Sequence, residues 1–173
     1  MQRPLEKAWY DMPSIAIKDD VLAPNDTLTV RFEGRNPFAA SSIVPQMLRQ
    51  ILKITAKDVL ETDVRWDNTK EIRQFYGKWM GKRKEDYWTT TIIEIIIQGE
   101  QEAKEKTGWS RIGLRGTIQT NYGYSNFIQR MFWWFYNRAF YYKQRRAYID
   151  QGKDFILQMR DRFQRTLGIL PPA

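Results

Sequence analysis

The chain has 173 residues, 42% of them hydrophobic and 28% charged, with 28 Lys+Arg against 20 Asp+Glu for a net charge of +8. That is one domain's worth of chain with enough apolar residues for a core. It contains no cysteine and no histidine, which excludes a Ser-His-Asp triad, a cysteine nucleophile, a histidine proton shuttle, a disulfide and a Cys/His zinc site.

Aromatic residues make up 14% of the chain, with seven Trp, nine Tyr and nine Phe. Disordered chains are poor in such residues, so a folded domain is expected between the two ends. Residues 1–27 carry Pro4, Pro13 and Pro24 without a clean period and read as an irregular N-terminal arm. Residues 28–173 read as a single α+β domain. No secretory pattern opens the chain. Its longest apolar block, Ile92–Ile97, is six residues with Glu94 inside it, far short of a membrane span. These features predict a cytoplasmic protein, with a position at the membrane periphery as the variant.

Leu28–Glu33 alternates apolar and polar residues and predicts a half-buried strand. Gly34 closes it, and Asn36-Pro37 predicts a helix start with Asn as N-cap. Ile43, Val44, Met47, Leu48, Ile51 and Leu52 recur at three and four, an amphipathic helix over about residues 37–54 that Pro45 kinks or divides. From Thr62 to Tyr124 the period becomes two. Val64–Trp66, Ile72–Lys82 with a bulge at its glycines, Tyr87–Gln98 and a strand carrying Ile112, Leu114, Ile118 and Tyr122 predict an antiparallel meander. Ser125 or Asn126 caps a helix running to about Tyr148, and a further helical stretch follows Gly152 with Phe155, Met159, Phe163 and Leu167 as its stripe. Pro171-Pro172 stops it.

The excess positive charge has two sources. Residues 70–84 hold six basic groups and one acid, and residues 125–173 hold nine and three. Lys78, Lys82, Arg83 and Lys84 in the first, with Lys143, Arg145 and Arg146 in the second, are candidate contacts for phosphate or an anionic surface. The alternative is a solvated face that keeps the protein soluble.

The segment Phe127–Tyr142 is aromatic nearly all round. At 100° per residue Phe127, Ile128, Met131, Trp134, Phe135 and Tyr142 share one broad face, which predicts packing on the sheet. Trp133 and Phe140 fall on the far side and are candidate interface residues. Glu94 shares a strand face with Trp88, Ile92 and Ile96. It either reaches a ligand's polar group or pairs across strands with Lys78, Arg111 or Arg115. No acidic pair or triplet suggests a metal, no glycine loop suggests a nucleotide phosphate, and no cofactor is expected.

The order of elements, with Asn36-Pro37-Phe38-Ala39 after the first strand, resembles the START-like (helix-grip, SRPBCC) superfamily over about residues 28–168. In that fold a curved antiparallel sheet grips a long C-terminal helix and an apolar ligand sits between them. The resemblance implies non-catalytic binding of an apolar or amphipathic small molecule between sheet and C-terminal helix, lined by Trp79, Trp88, Ile92, Glu94, Met131, Trp134, Phe135 and Tyr142; separately, Trp and Tyr beside the Lys/Arg cluster suit contact with an anionic membrane surface. Two rivals stand beside it. One is a nucleic-acid-binding accessory protein using the basic hairpin and helix. The other is a subunit of a homo-oligomer with the aromatic helix as its interface. No acid–base pair points to an enzyme.

Overall fold

A computed structural model describes residues 13–169. Six strands form one antiparallel sheet: β1 (Ser14–Asp20), β2 (Leu28–Arg35), β3 (Val59–Asp67), β4 (Ile72–Lys84), β5 (Thr89–Glu102) and β6 (Thr107–Gly123). Two short helices, α1 (Ala39–Ser42) and α2 (Val44–Leu52), lie between β2 and β3. After the sheet come α3 (Phe127–Tyr136), a π-helical turn at Asn137–Tyr141 and α4 (Tyr142–Thr166), one continuous helical rod. The α+β class is therefore as the sequence indicates.

The strands run in the order β1-β6-β5-β4-β3, and β2 also pairs with β6. β6 is 17 residues long, which lets it carry two partners on one edge. β2 runs along its first part (Leu28↔Leu114 to Arg35↔Thr107) and β1 along its last (Ser14↔Gly123 to Asp20↔Thr117). β1 and β2 are thus two collinear pieces of one edge. At the break Val21 turns inward, fully buried, with its amide bonded to Gly116 O at 2.9 Å. Residues 14–20, expected in the irregular arm, are in fact this edge strand. Its seven residues alternate exposed and half-buried with no long apolar run, which hides it in the sequence. The rest of the predicted arm, residues 1–12, and Pro171-Pro172 lie outside the described residues.

The period of two sorts the sheet into two faces. Phe75 and Trp79 of β4, Ile93, Ile95 and Ile97 of β5, and Ile112, Leu114 and Ile118 of β6 point inward. Leu48 and Leu52 of α2 and Phe155, Ile156, Met159 and Phe163 of α4 close over them in one core cluster. The helical stripe predicted from Phe155 to Leu167 is the buried face of α4. Each fully buried Ile or Leu contributes about 1.5–3 kcal/mol, so this interface is the main source of stability.

Local chemistry departs from expectation at three points. Asn36 is not an N-cap: it takes a left-handed conformation (φ 55°) in a turn, and α1 starts three residues later. The bulge lies not in β4 but in β3 opposite, between Glu61 and Asp63, because β4's glycines make room for other side chains. Gly152 neither breaks nor ends the helix: it sits inside α4 against Val21, where the edge strand turns in. Pro45 does divide the predicted helix, falling in the first turn of α2 where its missing N–H costs nothing.

Candidate functional site: an exposed aromatic helix

Asn126 caps α3: its side chain accepts from the Gln129 amide at 2.8 Å, and Gln129 Oε1 in turn accepts from the amide and hydroxyl of Ser125. This reciprocal cap fixes where the rod begins. Four residues on its first half turn toward the protein: Trp133, Asn137, Tyr141 and Arg145, all buried. Their spacing is four throughout. In a pure α-helix such a stripe drifts by about 40° per step. The π turn at Asn137–Tyr141, where the Tyr142 amide reaches Asn137 O, inserts the extra residue that realigns it.

Three of the four are held, each differently. Trp133 stacks on Tyr122 of β6 with centroids 5.0 Å apart. Tyr141 donates to Asp86 Oδ2 at 2.6 Å, and its oxygen also meets Thr89 Oγ1 at 2.5 Å. Thr89 Oγ1 meets Thr120 Oγ1 at 2.8 Å. Because Tyr141 spends its proton on Asp86, the hydroxyl chain runs Thr120 to Thr89 to Tyr141 to Asp86. Asp86 also accepts from the Trp88 and Thr89 amides and from Tyr148 at 3.0 Å. Burial works against its charge, but those donors outweigh burial and hold the carboxyl below its ordinary value. Arg145 pairs with Asp19 of β1.

What remains of the rod's first half faces outward. Phe127, Phe132 and Phe135 are each 70% exposed, and Ile128, Met131, Trp134, Tyr136, Phe140 and Tyr142 are exposed with them. An apolar display of this kind exceeds what isolated surface hydrophobes explain. It lies at one end of the molecule, where β6 ends, β1 begins and the β4–β5 turn closes. That turn adds Tyr87, 84% exposed, with Lys84 Nζ 5.6 Å from its ring centroid. Trp88 links the two parts, edge-on to Tyr136 and Tyr141.

The predicted packing of this helix is therefore inverted. Phe127, Ile128, Met131, Trp134, Phe135 and Tyr142 face away from the sheet, and Trp133, assigned to an interface, is only 3% exposed and packs on the sheet. Phe140 is outward as expected. Apolar periodicity ranks faces by greasiness, whereas this helix buries Trp133 against Tyr122, Tyr141 and Arg145 against polar partners, and Asn137 between them.

The residues expected to line one cavity are not brought together. Trp79 is in the core and donates from Nε1 to Glu61 at 3.0 Å. Ile92 and Glu94 lie on the outer sheet face, and Trp88 turns toward the helix instead of joining them. Met131, Trp134, Phe135 and Tyr142 are on the outer side of α3 and the start of α4. The space between sheet and helix is occupied by the core cluster. Glu94 has the structural partner that the strand spacing allowed: Lys78 at 2.8 Å, whose ammonium it keeps charged to higher pH.

The basic residues also separate. Lys78, Lys82 and Lys84 alternate onto the outer face of β4, whereas Arg83 turns inward, pairing with Glu85 and sitting 5.1 Å over Phe155. Lys143 and Arg146 are exposed on the helical rod, on the opposite side of the sheet from Lys78 and Lys82, while Arg145 is buried and paired and cannot serve a phosphate. One signal escaped the sequence reading. From Lys106 to Ile149 there are eight basic residues (Lys106, Arg111, Arg115, Arg130, Arg138, Lys143, Arg145, Arg146) and no acid. Among the described residues no group of three or more acids could hold a metal, and no helix is long and apolar enough to cross a membrane.

No family model and no curated protein matches the chain. Weakly similar solved structures include the following three. The activated Cyt2Ba monomer from Bacillus thuringiensis subsp. israelensis shares 6% identity over 63% of this chain and 74% of its own, at a TM-score of 0.33. A protein of unknown function, SA2116 from Staphylococcus aureus, shares 10% over 84% and 96%, at 0.27. An uncharacterized protein from Rhizobium leguminosarum shares 10% over 91% and 99%, at 0.25. None of these likenesses is strong enough to carry a function.

Proposed function

We propose that this protein is a non-catalytic, membrane-surface-binding domain that lays the aromatic helix α3 into the headgroup region of an anionic bilayer. The observation that carries this reading is the exposed set Phe127, Ile128, Met131, Phe132 and Phe135 on a segment whose only charges are the two arginines Arg130 and Arg138. Trp and Tyr beside Lys and Arg suit the headgroup region, where rings meet the acyl boundary and cations meet phosphate. The exposed stretch from Phe127 to Tyr142 is about 24 Å long at 1.5 Å per residue, which suits a helix lying in the surface plane and not crossing it. Among the described residues the acids nearest this end, Asp19, Glu85 and Asp86, are each bonded inward, so none of these turns a free carboxylate toward an anionic lipid.

Charge also favours a bilayer over a second copy. A two-fold contact through α3 would bring Arg130, Arg138 and Lys143 against their own images without a facing acid. The helix-grip resemblance implies an apolar ligand between sheet and helix, whereas here that space is filled by the core and the exposed apolar surface lies on the outer side of α3.

The test is co-sedimentation with vesicles of phosphatidylcholine alone and of phosphatidylcholine with phosphatidylglycerol. The expected result is binding to the anionic vesicles, a blue shift of tryptophan fluorescence, and loss of both in a Phe132→Glu/Phe135→Glu variant. Both side chains are exposed, so the variant should fold. Protein that stays in the supernatant with anionic vesicles overturns the reading. A discrete dimer that the same variant dissociates would favour the subunit reading in its place.

A further inference from the structure

The helices close over one face of the sheet, and the other face is open. Strand register lines up the side chains of that face in rows. One row crosses five strands: Arg31 of β2, Arg111 of β6, Gln98 of β5, Tyr76 of β4 and Arg65 of β3. At its far end Arg65 is paired with Asp63 at 2.7 Å and lies 5.8 Å over the Tyr76 ring. At the near end Arg31 and Arg111 stand directly opposite each other, both exposed. Among the described residues neither forms an ion pair. Like charges directly opposite destabilise a sheet. An anion held between the two guanidinium forks turns that repulsion into attraction.

The surroundings define the rest of the occupant. Arg31 and Arg111 line an open hollow of about 450 Å³ together with Glu33, Gln98 and Trp109. Trp109 lies two residues, about 7 Å, along β6 from Arg111. Its indole is 41% exposed, and its Nε1 donates to Glu100 at 3.1 Å, which fixes the ring. The negative face of an indole attracts the polarised C–H groups of a sugar ring. Glu33 stands opposite Trp109 and accepts from hydroxyls, and Gln98 both donates and accepts. A bare phosphate or carboxylate would leave Glu33 facing a like charge. A long polyanion fits less well still, because Glu33, Glu100 and Asp67 share the next row of the same face. The class that fits is a polyhydroxylated ring bearing one anionic group.

We infer that this hollow binds an anionic sugar, a uronate or a sugar phosphate, with its acid on Arg31 and Arg111, its ring on Trp109 and its hydroxyls on Glu33 and Gln98. The site lies on the open sheet face and is independent of membrane binding by α3.

The test is NMR titration of the whole chain with glucuronate, glucose 6-phosphate, glucose and inorganic phosphate at fixed ionic strength. The Trp109 indole N–H, assigned by its loss in Trp109→Phe, reports on the site. The expected result is that one or both anionic sugars move this signal with an affinity about tenfold or more above glucose and above inorganic phosphate, the scale of a lost charge-assisted contact. The tighter of the two names the source, an acidic polysaccharide unit or a free sugar phosphate. Arg31→Gln/Arg111→Gln should abolish the preference over glucose. Glu33→Gln should weaken the anionic sugars, whereas at a bare anion site it would strengthen them by removing a repelling charge. These side chains are exposed, so the variants should fold. Glucose or inorganic phosphate binding as tightly as the anionic sugars overturns the site, as does an unmoved signal with every probe. A preference that survives Arg31→Gln/Arg111→Gln, or anionic sugars that bind more tightly to Glu33→Gln, also overturns it. A single-stranded RNA that moves the same signal at lower concentration than either sugar overturns it in favour of nucleic acid.

Discussion

The indole of Trp79 folds back over Gly77, two residues earlier on the same face of β4, so closely that a Cβ at Gly77 would fall 2.1 Å from Trp79 Cη2. The pair explains how a ring as large as Trp79 is 4% exposed in the core while its Nε1 still reaches Glu61 on the neighbouring strand. Gly77→Ala must push the indole out of that slot. Overpacking of this kind costs about 1–3 kcal/mol. The expected outcome is a lower urea midpoint and a red-shifted Trp79 contribution to fluorescence. An unchanged midpoint would show that the ring has room to move.

Tyr141 ties the helix to the sheet through its hydroxyl, so Tyr141→Phe keeps the ring and removes the tie. Asp86 loses its closest side-chain donor, and Thr89 loses an acceptor beneath the helix. A buried group left short of a partner costs about 1–3 kcal/mol. Tyr148→Phe, which removes a longer bond of 3.0 Å to the same carboxylate, should cost less. Chemical denaturation of both variants checks the order, and a larger loss for Tyr148→Phe would contradict the geometry.

The same network sets a pH dependence. Asp86 is held below its ordinary value of 3.8, despite partial burial that acts the other way. The unfolded chain therefore takes up this proton first as pH falls. The stability Asp86 provides is complete above about pH 5 and is lost as pH drops through its folded value. At the alkaline end burial first, and then Asp86, hold Tyr141 above its ordinary value of 10.0, so stability is lost again above about pH 10. Asp86→Asn should flatten the acid limb of a denaturation-midpoint profile and Tyr141→Phe the alkaline one. Parallel profiles for variants and parent would refute both assignments.

Trp133→Ala and Phe135→Ala separate the two sides of α3. Trp133 is buried on Tyr122, and its removal should cost about 3–5 kcal/mol. Phe135 faces solvent, and its removal should leave stability within about 0.5 kcal/mol. Thermal unfolding of the two variants measures the contrast, and equal losses would mean that the helix packs the other way round.

Much of the fold was legible because strand and helix periods are local. Ile93, Ile95 and Ile97 alternate, Phe155, Met159 and Phe163 recur at four, and both patterns name the core face. The first half of the C-terminal rod was not legible for a physical reason. The wheel groups Phe127, Ile128, Met131, Trp134 and Phe135 on one side and Trp133 on the other, as observed, but carries nothing that says which side meets the sheet. The partners that decide burial there, Tyr122, Thr89 and Asp86, are distant in sequence. β1 escaped notice because an edge strand needs only one neighbour and few apolar residues. Glu94 was half legible: strand spacing offered three cations and could not choose Lys78 among them.

Binding to an anionic surface should divide into a charge term and an apolar term that respond to different changes. Arg130, Arg138, Lys143 and Arg146 are exposed on the rod and are screened by salt. Each contributes on the order of 1 kcal/mol near an anionic bilayer. Lys143→Gln/Arg146→Gln should therefore lower the partition coefficient at low salt by about tenfold or more and reduce its steepness against salt. Phe127, Phe132 and Phe135 act through area removed from water, which salt does not screen. Phe132→Ala/Phe135→Ala should lower binding at every salt concentration while leaving the steepness unchanged. Arg145→Gln should not behave like its neighbour Arg146→Gln, because Arg145 is buried against Asp19 and acts on folding and not on the surface. A partition series against salt for the four variants distinguishes these outcomes. Binding that disappears entirely with salt in the parent protein would show that the aromatic side chains do not enter the bilayer.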